Sequence, residues 1–370
     1  MKKIMLTSRV MFVWLIVITT VSCASTSATS PAPVKTMTAT AFVPLVTTQF
    51  PGVDSGQYHV YISNGGGPAH PVVADTGSQI LVVPKQYVGP QAQPVTPTQC
   101  HSISYSDTTW CGRFYTGPVA IGVPENYTPG QGTYPTTQAS FPFLVIDPDD
   151  SVCMAQLPGC KMPPDLTNRG IMGIGYGRGP NGSAYNALLQ IEEVASGKMQ
   201  PGYIIQLGQA TPGITVGLTP ENTRGFGFIP LNASTQLPGQ WDPDSFTGCA
   251  RLSSGGSTVF NQCANMLFDT GTTDFMLFTP LADKPLAIMK NSFLLDPGMT
   301  VSVTAPGAAP IISYTYLSTA NTTWPKRQSS VGWIPREKGV YFTIGQYVFL
   351  QYDYLFDPTA GRIGFRPVAP

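Results

Sequence analysis

Along most of the chain, apolar and polar residues alternate in short runs bounded by glycine, proline and asparagine, the pattern of strands joined by turns. Structure is expected to begin near Phe42-Val43-Pro44-Leu45-Val46. Tyr58-His59-Val60-Tyr61-Ile62 reads as a strand, and Asn64-Gly65-Gly66-Gly67-Pro68 turns the chain. The apolar run from Val72 to Pro84 then carries Asp75-Thr76-Gly77-Ser78 in its middle. A carboxylate at a bend inside such a run is costly unless it is hydrogen-bonded or shares its charge. The same pattern returns between Asn265 and Leu277, around Asp269-Thr270-Gly271-Thr272. Two Asp-Thr-Gly triplets arise by chance on the order of a few times in a thousand chains of this length, so the two acids are expected to meet in space.

Other segments complete the pattern. His101 to Tyr115 predicts a hairpin with Ser106-Asp107-Thr108-Thr109 at its tip. Arg169 to Tyr176 is a glycine-punctuated apolar segment in which backbones approach closely. Ala184, Leu188, Ile191 and Ala195 share one face of a helix predicted over residues 183–196, stopped by Gly197. Thr279-Pro280 opens a second helix. The remainder reads as strands, ending with Val340 to Leu350 and Tyr352 to Phe356.

Composition narrows the class. Only 11% of the 370 residues are charged and the net charge is zero, so nothing recruits nucleic acid or an anionic membrane. Glycine and proline, 38 and 36 residues, are frequent but fall short of a disordered composition. Lys2, Lys3 and Arg9 precede a short apolar run, Val10 to Val21, which predicts an export signal over residues 1–23. The run ends at Thr20-Val21-Ser22-Cys23, which resembles a bacterial lipoprotein cleavage site with Cys23 as the lipidated residue; ordinary cleavage after Ala24 is the alternative. Residues 24–41 read as a Ser/Thr/Pro-rich tether. Six cysteines follow, an even number that suggests disulfides in an exported chain. Nearest-neighbour pairing gives Cys100–Cys111, Cys153–Cys160 and Cys249–Cys263 as the expectation.

An internal repeat organises the whole. Asp-Thr-Gly followed by an apolar-apolar-Gly element occurs at Asp75 with Ile171-Met172-Gly173, and at Asp269 with Thr343-Ile344-Gly345. The unequal intervals fit two diverged lobes better than a regular solenoid. On these residues the chain resembles the bilobal, pepsin-like aspartic peptidases over about residues 42 to 368. Tyr105 resembles the tyrosine of that family's substrate-covering flap. Phe349 through Phe365 resembles its C-terminal strands. Val82 stands where the family commonly has a tryptophan bonded to the flap tyrosine, and Trp110 is the candidate substitute.

The resemblance implies an all-β, bilobal fold of two related β-barrel-like lobes with a few short helices. It also implies an N-terminal lobe over 42–210 with the first aspartate and the flap, and a C-terminal lobe over 211–370 with the second. The implied activity is aspartic endopeptidase, without metal or cofactor, on polypeptides, by a monomer in the cell envelope or secreted. The alternative is an inactive binding or inhibitor protein on the same fold; such relatives typically lose a motif residue, whereas both motifs here are intact.

The residues support that chemistry directly. Two neighbouring carboxylates cannot both ionise cheaply, so they share a proton and serve as acid and base. Gly77 and Gly271 admit backbone N–H groups, Ser78 and Thr272 can donate to the carboxylates, and Thr76 and Thr270 can lock the two loops together. Rival chemistries are thin. His59, His70 and His101 read as surface or strand residues, no metal-ligand pair stands at helical spacing, and no Gly-x-Ser-x-Gly occurs. Asp274, close behind the second motif, reads as a solvated loop acid.

Overall fold

The computed structural model describes residues 37–47, 56–105, 108–157, 159–160, 170–177, 182–244, 246–280, 297–305, 310–318 and 331–369. The expected export signal, Cys23, most of the tether and the helix after Thr279-Pro280 lie outside the described residues.

The fold is all-β and bilobal. A ten-stranded sheet, built on strands between Val46 and Ile174, makes one lobe, and a seven-stranded sheet between Thr247 and Ile344 makes the other. A six-stranded antiparallel sheet lies between them in the chain's logic: Ala41–Pro44, Gly213–Val216, Tyr203–Gln206, Tyr352–Asp357, Arg362–Pro367 and Gly227–Pro230, in that order. It joins the first strand of the chain to the last. Its strands are also tied by Arg366 to Asp353 at 2.7 Å and Arg362 to Asp357 at 3.0 Å.

Each lobe contains the same local device. In the first, Gly170–Ile174 lies parallel to His70–Asp75 and antiparallel to Gln79–Pro84. In the second, Tyr341–Ile344 lies parallel to Ser257–Phe268 and antiparallel to Phe275–Thr279. A strand that pairs with both arms of a bend holds the bend from behind, so each aspartate sits on a turn clamped by a third strand. The apolar residues of these strands join one extensive core that includes Val72, Leu81, Met172, Phe268, Leu277 and Ile344.

The predicted helix over 183–196 is broken. Gly182–Tyr185 and Ala187–Leu189 are single 3-10 turns, and only Glu192–Ala195 is α-helical. Asn186 and Ile191 are extended at the breaks. The Asn186 side chain accepts from Leu188 N at 3.1 Å and donates to the Ile174 carbonyl at 2.8 Å. A polar anchor on the site-bearing sheet thus overrides the helical period. The strand expected over 340–350 also ends early: Tyr341–Ile344 is a strand, but Tyr347–Gln351 is a helix. Gln346 turns the chain by donating its backbone N–H to the Thr272 carbonyl at 2.9 Å.

Two expected disulfides are corrected. The bridges are Cys100–Cys153, Cys111–Cys160 and Cys249–Cys263. Within the hairpin His101–Tyr105 and Thr108–Thr116, Cys111 stands opposite Ser102, so Cys100 is two residues out of register with it. Such diagonal neighbours lie about 7–8 Å apart, beyond disulfide reach. Both cysteines instead reach the short helix Ser151–Gln156 and the turn after it, with Cα separations of 5.3 and 5.9 Å. Asp150 caps that helix at Cys153 N and pairs with Arg113 of the hairpin at 2.8 Å. The base of the hairpin is therefore fastened at three points. Cys249 and Cys263, by contrast, face each other in register, as expected.

Candidate active site

The two Asp-Thr-Gly bends meet at the centre. Each inner oxygen takes a backbone N–H two residues on: Gly77 N donates to Asp75 Oδ1 and Gly271 N to Asp269 Oδ1, both at 2.7 Å. Each outer oxygen takes a hydroxyl: Ser78 Oγ donates to Asp75 Oδ2 at 2.5 Å and Thr272 Oγ1 to Asp269 Oδ2 at 2.8 Å. The glycines are required by proximity. A Cβ on Gly77 would lie 2.5 Å from the Asp269 carboxylate, and one on Gly271 would lie 2.5 Å from Asp75 Oδ1. Only backbone fits between each bend and the opposite acid.

Beneath the acids, the two threonines cross. Thr76 Oγ1 donates to the Phe268 carbonyl at 2.8 Å, and Thr270 Oγ1 to the Ala74 carbonyl at 2.6 Å. Each hydroxyl also receives the other's backbone N–H, at 3.0 and 2.9 Å. Both threonines are buried. Four reciprocal bonds across some 194 residues of sequence fix the distance between the carboxylates independently of any substrate.

That distance has an electrostatic consequence. Burial raises the Asp75 carboxyl well above the ordinary carboxylate range, and the Asp269 charge beside it raises it further. The hydrogen bonds from Ser78 and Gly77 oppose the rise without cancelling it. Asp75 is buried while Asp269 is half-exposed. The pair therefore holds a proton that neither acid would hold alone, weighted to Asp75.

Tyr105 sits at the end of its hairpin strand, against a small cluster of Ile80, Val82, Trp110, Leu144 and Ile146. Its ring lies 4.7 Å from that of Trp110. The hydroxyl is buried and faces Ser78 and Asp75; burial, then the Asp75 charge, raises its pKa. Trp110 is thus a ring neighbour and not the hydroxyl's partner: neither Tyr105 Oη nor Trp110 Nε1 closes a hydrogen bond among the described residues. Val82 makes room for this ring pair. The hairpin tip, residues 106 and 107, lies outside the described residues. Asp274 is half-buried and accepts from Thr273 Oγ1 at 3.2 Å.

Three contributors escaped the sequence reading. Gln57 Nε2 donates to the Gly271 carbonyl at 2.6 Å, reaching from one lobe to the bend of the other. Gln346 Nε2 donates to the Thr270 carbonyl at 2.8 Å; its position directly after Thr343-Ile344-Gly345 was the available signal. Ile80, just past the first bend, has φ of 107°. A β-branched residue there is strained, and such strain concentrates at functional sites.

Comparison with known proteins agrees with this geometry. No curated protein sequence matches the chain. Basic 7S globulin from soybean superposes with a TM-score of 0.53 at 14% identity, covering 89% of this chain and 95% of that one. At that identity the likeness establishes the pepsin-like fold alone. The family model of the PE-PGRS C-terminal aspartyl peptidase-like domain matches residues 41–349. Spanning most of the chain, with both aspartate bends inside it, that match shows that the protein belongs to the PE-PGRS C-terminal aspartyl peptidase-like family.

Proposed function

We propose that the protein is an aspartic endopeptidase whose catalytic residues are Asp75 and Asp269. The observation that carries this reading is the crossed approach of each glycine bend to the opposite carboxylate, with inner and outer oxygens ligated alike on both sides. The arrangement supports attack by a water held between the acids. Asp269 takes a proton from that water as its oxygen bonds to the peptide carbon, while Asp75 gives its proton to the carbonyl oxygen. The resulting neutral diol collapses: Asp269 returns a proton to the leaving nitrogen, the C–N bond breaks, and Asp75 recovers a proton from a diol hydroxyl. No bond to the enzyme forms, and the pair ends with one proton, as it began.

Activity requires that single shared proton. Because Asp75 is raised, hydrolysis is expected to persist above the ordinary carboxylate range and to fall as pH rises through the Asp75 value. The hairpin bearing Tyr105 is placed to close over an extended polypeptide and exclude water. Its apolar neighbours, Val82, Ile103 and Phe114 among them, favour bulky apolar side chains at the cut. Three disulfides suggest an exported chain, and among the described residues no helix is long and apolar enough to cross a membrane. The test is hydrolysis of denatured casein between pH 3 and 7. Inhibition by pepstatin and indifference to EDTA are expected; inhibition by EDTA alone contradicts the reading.

A further inference from the structure

A cavity of about 310 Å³ opens beside the first aspartate bend, on the side away from the acids. Side chains alternate along a strand: Ser78 turns toward Asp75, and the next residue, Gln79, lines the cavity. Gln79 is 2% exposed. Its Nε2 donates to the Gly175 carbonyl at 3.2 Å, which fixes the orientation of the amide, and its Oε1 has no hydrogen-bond partner. A buried acceptor left unpaired at the wall of a cavity is an acceptor presented to a ligand.

The rest of the wall defines that ligand. Tyr176, Trp241 and Phe356 supply aromatic surface, and Gln190 and Gln240 supply amides. Both amides are held in place through Ser183: Gln240 Oε1 accepts from its N–H at 3.0 Å, and Gln190 Nε2 donates to its carbonyl at 3.2 Å. No described lining residue is charged, so nothing there compensates an ionised ligand. The volume lies at the small end of ligand sites, enough for about one ring. Aromatic surface with fixed amides suits a ring that has apolar C–H faces and a rim of hydroxyl donors.

We propose that this cavity binds a single neutral sugar ring, one hydroxyl donating to Gln79 Oε1 and the C–H face lying against the aromatic wall. The site is separate from peptide hydrolysis and does not depend on it.

The test is saturation-transfer NMR and calorimetry on the mature chain with glucose, galactose, mannose and arabinose, and with benzoate and cyclohexanol as charged and apolar rings. Saturable millimolar binding of at least one sugar, and of neither control ring, is expected. Gln79→Met should weaken it by about 10-fold or more, the loss of one good hydrogen bond. Thr359→Trp, at an exposed lining position, should block it without disturbing the interior, and decides the matter should the Gln79 variant misfold. Binding should be unchanged in Asp75→Asn, which separates this site from the acids. Absence of saturable binding by any of the sugars, equal binding of benzoate or cyclohexanol, or indifference to Thr359→Trp overturns the proposal.

Discussion

A protein built to hydrolyse peptides in acid should resist acid, yet its first lobe carries a group that acid penalises. His70 begins the strand that ends at Asp75, and it is fully buried. Its ring stacks on Tyr87 at 4.4 Å and 9°, and Asn64 Nδ2 lies 3.5 Å from its Nε2. Burial pushes its pKa from 6.5 down to about 3, only partly offset by the Pro68 backbone. The folded state therefore keeps His70 neutral where the unfolded chain would protonate it. The stability this provides is complete above pH 6.5 and is lost as pH falls from there toward 3. The linkage amounts to about 2 kcal/mol at pH 5 and about 3 kcal/mol at pH 4. His70→Phe keeps the ring and the stack but removes the titration. Hydrogen exchange of peptides covering 58–75 should show the wild type opening about 30-fold more readily at pH 5 than at pH 7 relative to the variant, the equivalent of about 2 kcal/mol. Local exchange is the proper readout, because a bilobal chain need not unfold in two states. Parallel pH dependence in both proteins would refute the assignment to His70.

Two further outcomes follow from the hairpin. Tyr105→Ala should lower kcat/KM by about 10-fold or more, measured on a chromogenic peptide, while a thermal melt registers only the lost ring pair, about 0.5–1.5 kcal/mol. Non-reducing peptide mapping should link Cys100 to Cys153 and Cys111 to Cys160. With 53 residues between its ends, the first bridge should contribute about 4 kcal/mol through loop closure, the second less because the loop is already closed.

What the sequence disclosed, and what it withheld, divides along a physical line. The bends at Asp75 and Asp269 are legible because their chemistry is local: a carboxylate, a hydroxyl and a glycine within four residues, flanked by strand-forming residues, dictate their own hydrogen bonds. The strand behind each bend was visible as a glycine pattern for the same reason. The bridges of Cys100 and Cys111 were not, because they depend on hairpin register and on where a distant short helix docks, and neither is written between the cysteines. The helix over 183–196 failed through one residue. Asn186 finds a better partner in the Ile174 carbonyl than in a continued helix, and periodicity is blind to that competitor. Gln57 is likewise silent in sequence, since a glutamine before a strand gives no sign that it will reach a bend 214 residues away.

The central claim is that two opposed carboxylates sharing one proton hydrolyse peptide bonds. Its most direct test is single-turnover hydrolysis of one peptide by the wild type, Asp75→Asn and Asp269→Asn under identical conditions. An amide preserves each bend's shape but cannot exchange the proton. The account predicts that each variant stays folded by circular dichroism and loses at least about 10³-fold in rate, the two losses being similar and not additive in the double variant. Hydrolysis at an undiminished rate in either folded variant would contradict it.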